Sequence, residues 1–290
     1  MSTRTGVSAK REGARGIDRV IGRLKAIGAG LPPADGVAVF NRMYLTVTET
    51  VRARLAEFAD PPAVAELDVV FAGRYLRAVD AVAAGRRPPA CWRPLFELRA
   101  RPDLHPVQFA LAGMNAHIQH DLPLAVVDTC LRLGREPERL ASDYHRINGV
   151  LAGVEAAVRE QLMPGPDLLE RVEPLTHRVG VWSVDTARDA AWASVRVLWE
   201  LRERPSAAGA FSSALDGAVA LLGRALLTPV GLPPALGATT PGAAPVDART
   251  PGAAVPDTAT LGAATAPDAP VAGRLPLARS RPATGRDERG

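Results

Sequence analysis

Apolar residues recur at intervals of three and four along most of the chain between residues 17 and 231. This spacing places apolar side chains on one face of a helix, whereas a half-buried strand alternates apolar and polar residues. No window of the sequence alternates in that way. The first helical stripe consists of Ile17, Val20, Ile21, Leu24 and Ile27. The pattern therefore predicts an all-α fold.

Glycine and proline divide the rest of this region into further helices, because proline suits the first turn of a helix and glycine suits its end. The predicted helices cover residues 36–58, 61–85, 91–101, 106–121, 122–133, 136–147, 149–163, 183–205 and 207–227, with a weaker segment at 167–181. Pro123 predicts a break after Asp121, which would then cap the following helix. Residues 17–231 are expected to form a single compact domain of about nine or ten helices.

The two ends of the chain lack the helical pattern. Residues 1–16 are rich in Ser, Thr, Gly and Arg, and residues 232–290 are rich in Ala, Pro, Gly and Thr. The C-terminal stretch contains decapeptide repeats that start at Thr240, Thr250 and Thr260. Neither end has the apolar bulk that offsets roughly 1 to 2 kcal/mol of ordering entropy per residue. We therefore predict disordered tails over 1–16 and 232–290.

Charge and cysteine content narrow the choice of partner and compartment. The net charge of +4 comes from the tails, because residues 17–231 hold equal numbers of basic and acidic side chains. A neutral domain without a basic face gives no basis for binding nucleic acid, so we predict no nucleic-acid partner. Cys91 and Cys130 lie far apart, which indicates reduced thiols in a cytoplasmic protein. The N-terminus does not resemble a signal peptide, and no uninterrupted apolar run approaches the roughly 18 residues of a spanning helix, so we predict no membrane partner.

The central predicted helix carries the polar residues that are the best candidates for chemistry. His117 and Asp121 are one helical turn apart, beside a stripe of apolar residues, so an imidazole and a carboxylate could share a proton or a divalent metal ion. His120 is predicted to face solvent. Further metal ligands would have to come from other helices, and the candidates are Asp68, Asp143, His145 and Asp189.

A purely structural interpretation of the same residues stays open. Asp121 would cap the next helix, and His117 would donate to a backbone carbonyl in a satisfied core network. Arg188 and Trp192 lie one turn apart, so they could form a cation–π pair, or Arg188 could reach a buried carboxylate. The phosphate-binding glycine loop, the dinucleotide fingerprint, His-Glu-x-x-His and Gly-x-Ser-x-Gly are all missing from the sequence, which disfavours those enzyme classes.

Four segments of the chain resemble the bacterial domain-of-unknown-function family numbered 5995, over about residues 17–231. They read FNRMYLTVT at 40–48, LDVVFAGRY at 67–75, QFALAGMNAHI at 108–118 followed by Asp121-Leu122, and ARDAAW at 187–192. The resemblance implies an all-helical cytoplasmic domain and no particular substrate. It also implies that the family's recurring positions fall on His117 and Asp121 and on a set of ligand-binding candidates. These candidates are Asn41, Tyr44, Asp68, Arg74, Tyr75, Asn115, Arg188 and Trp192.

Two functions fit these residues. In the first, a polar pocket around His117 and Asp121 binds a small molecule or a divalent metal, and the pair would then act catalytically, for example in a metal-assisted hydrolase. In the second, the protein is a non-catalytic helical scaffold or protein-interaction module, and the same polar groups only fix the register of the helices. The sequence does not decide whether the protein is an enzyme, and it identifies no protein partner.

Overall fold

Helices make up nearly all of the chain that the structure, a computed structural model, describes. The described residues are 2–149, 151 and 184–229, with side chains from Glu12 onward. The helices are α1 (Ser2–Ala29), α2 (Gly36–Ala53), α3 (Pro61–Ala83), α4 (Arg93–Leu98), α5 (Pro106–Asn115), α6 (Leu122–Leu133), α7 (141–149), α8 (Val184–Leu201) and α9 (Pro205–Leu226). Short 3-10 turns lie at Leu55–Glu57, Ala90–Trp92 and Pro137–Arg139. No strand occurs among the described residues, so the all-α class is confirmed.

Several predicted elements lie outside the described residues. These are most of the helix at 149–163, the weaker segment at 167–181, the predicted helix start at Ser183 and the repeat tail at 232–290. The N-terminal tail predicted over residues 1–16 falls largely within the described residues, and there α1 is helical from Ser2. A Cβ atom on Gly13 or Gly16 would lie 2.8 Å from the side chains of Ala65 and Val69 respectively. Residues before Ile17 therefore pack on α3 through glycines, which a search for large apolar residues overlooks.

The crossing of α2 and α5 depends on two reciprocal contacts between glycine and phenylalanine. A Cβ atom on Gly113 of α5 would lie 2.3 Å from Cδ2 of Phe40, and one on Gly36 of α2 would lie 2.4 Å from Cδ1 of Phe109. Each ring therefore packs directly against the backbone of the opposite helix. His117 follows Gly113 by four residues, as Tyr44 follows Phe40, so the crossing brings the Tyr44 and His117 rings to a centroid distance of 4.5 Å.

Replacement of Gly113 by alanine tests this crossing. We expect the free energy of unfolding to fall by about 1 to 3 kcal/mol, because the added methyl group overpacks the contact with Phe40. Urea denaturation measures the change. The matched control is Gly22→Ala in α1, where no described atom outside the neighbouring residues and the local helix backbone lies within 4 Å of the added carbon. Alanine there should raise the free energy of unfolding by up to about 1 kcal/mol. Equal stability of the two variants would show that α2 and α5 do not cross at Gly113.

Helix α9 is, by length and composition alone, able to cross a membrane. In the structure, buried polar contacts attach it to α5. The amide nitrogen of Gln108 donates to the carbonyl of Leu226 at 2.8 Å, and that of Asn115 donates to the carbonyl of Val219 at 2.9 Å. These bonds fix both the position and the rotation of α9 against α5. That the protein has no membrane partner stays a prediction.

Candidate functional site

The segment that joins α5 to α6 is a wide π turn, Ala116–Asp121, and the helix does not break there. The backbone N–H of Leu122 donates to the carbonyl of His117, five residues earlier. The prediction that Asp121 caps a new helix is wrong, because its backbone is helical (φ −73°, ψ −37°) and its side chain forms no capping bond. Pro123 lies in the first turn of α6, where its missing N–H is tolerated once the wide turn has changed the hydrogen-bond register.

The Asp121 carboxylate accepts three hydrogen bonds in a site that is only 2% exposed. Oδ2 accepts from Trp92 Nε1 at 3.0 Å and lies 3.1 Å from Nδ1 of His117, and Oδ1 lies 2.9 Å from Nδ1 of His120. Burial opposes ionisation, but the bonds from His117 and His120 prevail and hold the pKa of Asp121 at about 2. An ionised carboxylate only accepts, so both imidazoles carry a proton on Nδ1.

The His117 ring is enclosed by aromatic side chains. It stacks on Phe71 with a centroid distance of 3.6 Å and an interplanar angle of 7°, and the edge contact with Tyr44 closes another side. Burial lowers the pKa of His117, although the bond to Asp121 opposes this shift. The ring is therefore neutral at neutral pH, and its Nε2 atom bears a lone pair. Among the described residues this buried nitrogen has no hydrogen-bond partner.

A cavity of about 110 Å³ lies beside His117. Its lining is mostly apolar and comes from α2, α3, α5, the π turn, α6, α7 and α8, with Phe40, Val47, Leu67, Phe71, Met114 and Ile118 among the contributors. Tyr44, Asp68 and His117 also line it. In the part of the chain that the structure describes, the hydroxyl of Tyr44, Oδ2 of Asp68 and Nε2 of His117 are all buried without a hydrogen-bond partner. The cavity thus collects several unsatisfied polar atoms on an apolar wall.

The protonation states of these groups follow from their burial. Burial and the nearby Asp68 carboxylate raise the pKa of Tyr44 well above its ordinary value, so its hydroxyl group stays neutral. Burial raises the pKa of Asp68 to about 7, so a large part of this carboxyl is protonated at neutral pH. Near pH 7 the cavity therefore offers a phenol donor, an imidazole acceptor and a carboxyl group that can act in either sense.

Arg188 reaches the same cavity from α8 and stacks on a residue that the sequence did not indicate. Its guanidinium carbon lies 4.1 Å from the centroid of the Tyr144 ring, and NH2 donates to the carbonyl of Tyr144 at 2.5 Å. Its Nε atom donates to Asn148. Trp192, the predicted partner, instead packs on Tyr144 at a centroid distance of 4.6 Å. The position of Arg188 is thus fixed by α7.

The other ligand-binding candidates do not line the cavity. Asn41 donates to a carbonyl of α1 at 2.8 Å and accepts from the Tyr75 hydroxyl at 3.3 Å. Arg74 forms a 2.6 Å ion pair with Asp128 between α3 and α6. Asn115 binds α9, as described above. These side chains are engaged in contacts between helices.

The residues considered as additional metal ligands are also dispersed. Asp143 accepts hydrogen bonds from the backbone amides that precede α3, and His145 and Asp189 are exposed to solvent. The structure does not bring them to His117 and Asp121, which are buried. Of the four residues considered, Asp68 is the one that shares the cavity with His117.

Sequence reasoning missed part of this network. The prediction that His120 faces solvent is wrong: the π turn rotates it inward and leaves it 6% exposed. Trp92 reaches Asp121 from the turn at Ala90–Trp92, and its bond to that carboxylate had no signal in the sequence. Cys91, His120 and Asp216 come from three separated segments, yet one ligand-type atom of each lies within 4.8 Å of the others. The one local signal for the network was a polar His-x-x-His-Asp run in a stretch that otherwise reads as core helix.

Comparison with known proteins identifies a family whose description names no activity. No curated protein and no solved structure matches the chain significantly. A family model described as a family of unknown function matches residues 17–229, which is most of the chain and nearly all of the predicted domain. The resemblance noted from the sequence is therefore confirmed. The chain belongs to the family of unknown function DUF5995.

Proposed function

We propose that the protein binds a small, mostly apolar molecule that carries an uncharged hydrogen-bonding group, in the cavity lined by Tyr44, Asp68 and His117. One observation carries this proposal: three buried polar atoms without a partner lie on one apolar cavity. Each unsatisfied buried group costs about 1 to 3 kcal/mol. A ligand that provides the missing partners recovers part of this cost, and its apolar body replaces water against the apolar wall.

The cavity volume limits the size of the ligand. An engineered apolar cavity of about 150 Å³ in another protein accommodates benzene. A cavity of about 110 Å³ therefore suits a single ring or a short alkyl chain when the side chains around it adjust slightly. A hydroxyl group on that body can donate to Nε2 of His117 and accept from the Tyr44 hydroxyl. This chemistry favours a phenol or a short alcohol. We also propose, as the sequence predicts, that the protein is cytoplasmic.

The pairing of Asp121 with His117 favours a second candidate function, in which the bound molecule is a substrate. A buried carboxylate that holds Nδ1–H of an imidazole leaves Nε2 as a base directed away from it, and enzymes use this arrangement to remove a proton from a hydroxyl group. The hydroxyl group that loses its proton would then belong to the ligand, because the described residues that line the cavity include no Ser, Thr or Cys. Both candidate functions require a molecule to bind in the cavity, so binding is tested first.

Phenol and toluene form a matched pair of probes for this cavity, since they have nearly the same shape and differ in the hydroxyl group. We expect phenol to raise the Tm of the full chain in a saturable way and toluene to do so less. Replacement of Tyr44 by phenylalanine removes a donor and should weaken phenol binding about tenfold while leaving toluene binding nearly unchanged. Isothermal titration calorimetry measures both affinities.

Tyr75→Phe is the control for this substitution. Tyr75 is buried near Tyr44, but its hydroxyl bonds to Asn41 and it does not line the cavity. Its replacement should therefore leave the preference for phenol over toluene intact. If neither probe binds, or if both tyrosine variants lose phenol binding equally, the cavity is not the binding site and the scaffold hypothesis is favoured.

A further inference from the structure

The second imidazole that Asp121 holds, His120, meets a different group of side chains. Its Nε2 atom lies 3.7 Å from Oδ1 of Asp216, which belongs to α9, and the Cys91 thiol joins them from the turn at Ala90–Trp92. One ligand-type atom of each residue lies within 4.8 Å of the others. Cys91 and His120 are buried, whereas 23% of the Asp216 side chain is exposed. Three elements therefore bring sulfur, nitrogen and oxygen donors together at the edge of the core.

We propose that Cys91, His120 and Asp216 bind a Zn²⁺ ion. Zinc lies about 2.3 Å from sulfur and about 2.0 to 2.2 Å from nitrogen and oxygen, so the ligand atoms of a tetrahedral site are separated by about 3.4 to 3.6 Å. The distance between His120 and Asp216 is already near this range. The widest pair in the cluster would have to approach by on the order of 1 Å, which rotation of the side chains supplies.

The hydrogen bond to Asp121 prepares His120 for this role. Because the Nδ1–H of His120 donates to Asp121, the lone pair of a neutral ring is on Nε2, the atom that lies 3.7 Å from Oδ1 of Asp216. Zinc-binding histidines commonly donate their other N–H to a carboxylate in this way, which fixes the tautomer and the ring orientation. The hydrogen bond to Asp121 supports a metal site independently of the short distances between the three donors.

Asp216 is oriented by the backbone and keeps lone pairs for a metal. Its Oδ2 and Oδ1 atoms accept from the backbone N–H groups of Ala90 and Cys91 at 2.9 Å and 2.8 Å. Each carboxylate oxygen has two lone pairs, so these bonds do not exhaust it. A thiolate and a carboxylate together balance the charge of a divalent ion. The thiolate also favours zinc over magnesium or calcium, which prefer all-oxygen sites.

The composition of the site indicates what the ion could do. Three protein ligands leave a fourth position for water, as in catalytic zinc sites, whereas structural zinc sites usually have four protein ligands. The partly exposed side of Asp216 gives water access to that position. Asp121 connects this site to the cavity by holding both His120 and His117. None of the three proposed zinc ligands lines the cavity, so the two proposals can fail separately.

Cobalt substitution tests the site in the full chain. We expect chelator-stripped protein to bind one equivalent of Co²⁺, with the visible absorption of a tetrahedral site and a thiolate-to-cobalt charge-transfer band in the near ultraviolet. Added Zn²⁺ should displace the cobalt and remove both features. Cys91→Ser should abolish the charge-transfer band. The matched control is Cys130→Ala, which removes the chain's other thiol, also buried but outside the cluster, and should retain the band.

His120→Gln provides a second variant in case serine at position 91 impairs folding. It keeps a polar side chain of similar size, and it should weaken Co²⁺ binding at least tenfold while circular dichroism still shows the native helix content. The proposal is overturned if the stripped wild-type protein shows no saturable cobalt spectrum. It is equally overturned if the charge-transfer band survives in Cys91→Ser, because the thiolate would then come from another residue.

Discussion

Replacement of Asp121 by asparagine is expected to lower the free energy of unfolding by about 3 to 5 kcal/mol. The wild-type carboxylate accepts from the indole of Trp92 and from both His117 and His120 within a site that excludes water. Asparagine keeps one acceptor oxygen and turns an N–H₂ group towards donors, so at least one buried N–H loses its partner. Urea denaturation of the two proteins at pH 7 measures the difference.

The pH dependence of the stability difference between wild type and Asp121→Asn shows whether it comes from the carboxylate charge or from loss of packing. The pKa of Asp121 lies below its unfolded value, so the unfolded chain takes up the proton first as the pH falls. The carboxylate contributes stability above about pH 4 and loses it as the pH falls towards 2, and the gap between wild type and variant should shrink over that range.

Asp128→Asn is the control, because its carboxylate is 42% exposed in an ion pair with Arg74. It should cost less than about 1 kcal/mol. A small effect of Asp121→Asn, similar to that of the control, would show that the buried network does not form.

Asp68 should make the protein less stable as the pH rises from about 4 to about 7. Burial raises its pKa to about 7, so over this range the folded protein retains a proton that the unfolded chain has released. The free energy of unfolding then falls by up to about 1.4 kcal/mol per pH unit, which amounts to roughly 3 to 4 kcal/mol over the whole range. The smaller value allows for the part of the Asp68 side chain that reaches solvent. Asp68→Asn should remove this dependence and be more stable than wild type at pH 8.

Denaturation curves at intervals between pH 4 and pH 8 provide the measurement. Asp80→Asn serves as the comparison on the same helix, because its side chain is half exposed and pairs with Arg23. That change should shift stability by less than about 1 kcal/mol throughout the range. If the wild-type and Asp68→Asn curves run parallel, the Asp68 carboxyl is solvated in the folded protein.

The helices themselves could be predicted from the sequence because each one encodes its own buried face and its own ends. Asp35 illustrates this, since its carboxylate caps α2 by accepting from Val37 N at 2.8 Å, directly before the apolar positions of that helix begin. The close crossing at Gly113 was not predictable, because a glycine in a helix looks the same whether a ring or solvent covers it. Its role depends on Phe40, which is distant in sequence.

The candidate site was predicted only in part for a related reason. The pairing of His117 with Asp121 follows from their spacing and is present, because both lie on one helical segment. Asp216 reaches the same network from α9 and Trp92 reaches it from the turn at Ala90–Trp92, and no local pattern encodes either approach. The inward turn of His120 was missed because a projection at 100° per residue assumes a regular α-helix, whereas the chain forms a π turn there.

The π turn at Ala116–Asp121 also determines which changes in chain length this region could accept during evolution. A wide turn holds one residue more than a regular α-helical turn, so the extra residue is accommodated within the turn itself. Deleting that one residue would convert the segment into a regular α-helical turn and leave α6 close to its present rotation relative to α5. Val126 and Cys130, now fully buried, would stay in the core, and Leu131, now 54% exposed, would stay outside it. The change would be confined to the turn, where His120 would lose its inward placement, so homologous chains without this network should align here with a gap of one residue.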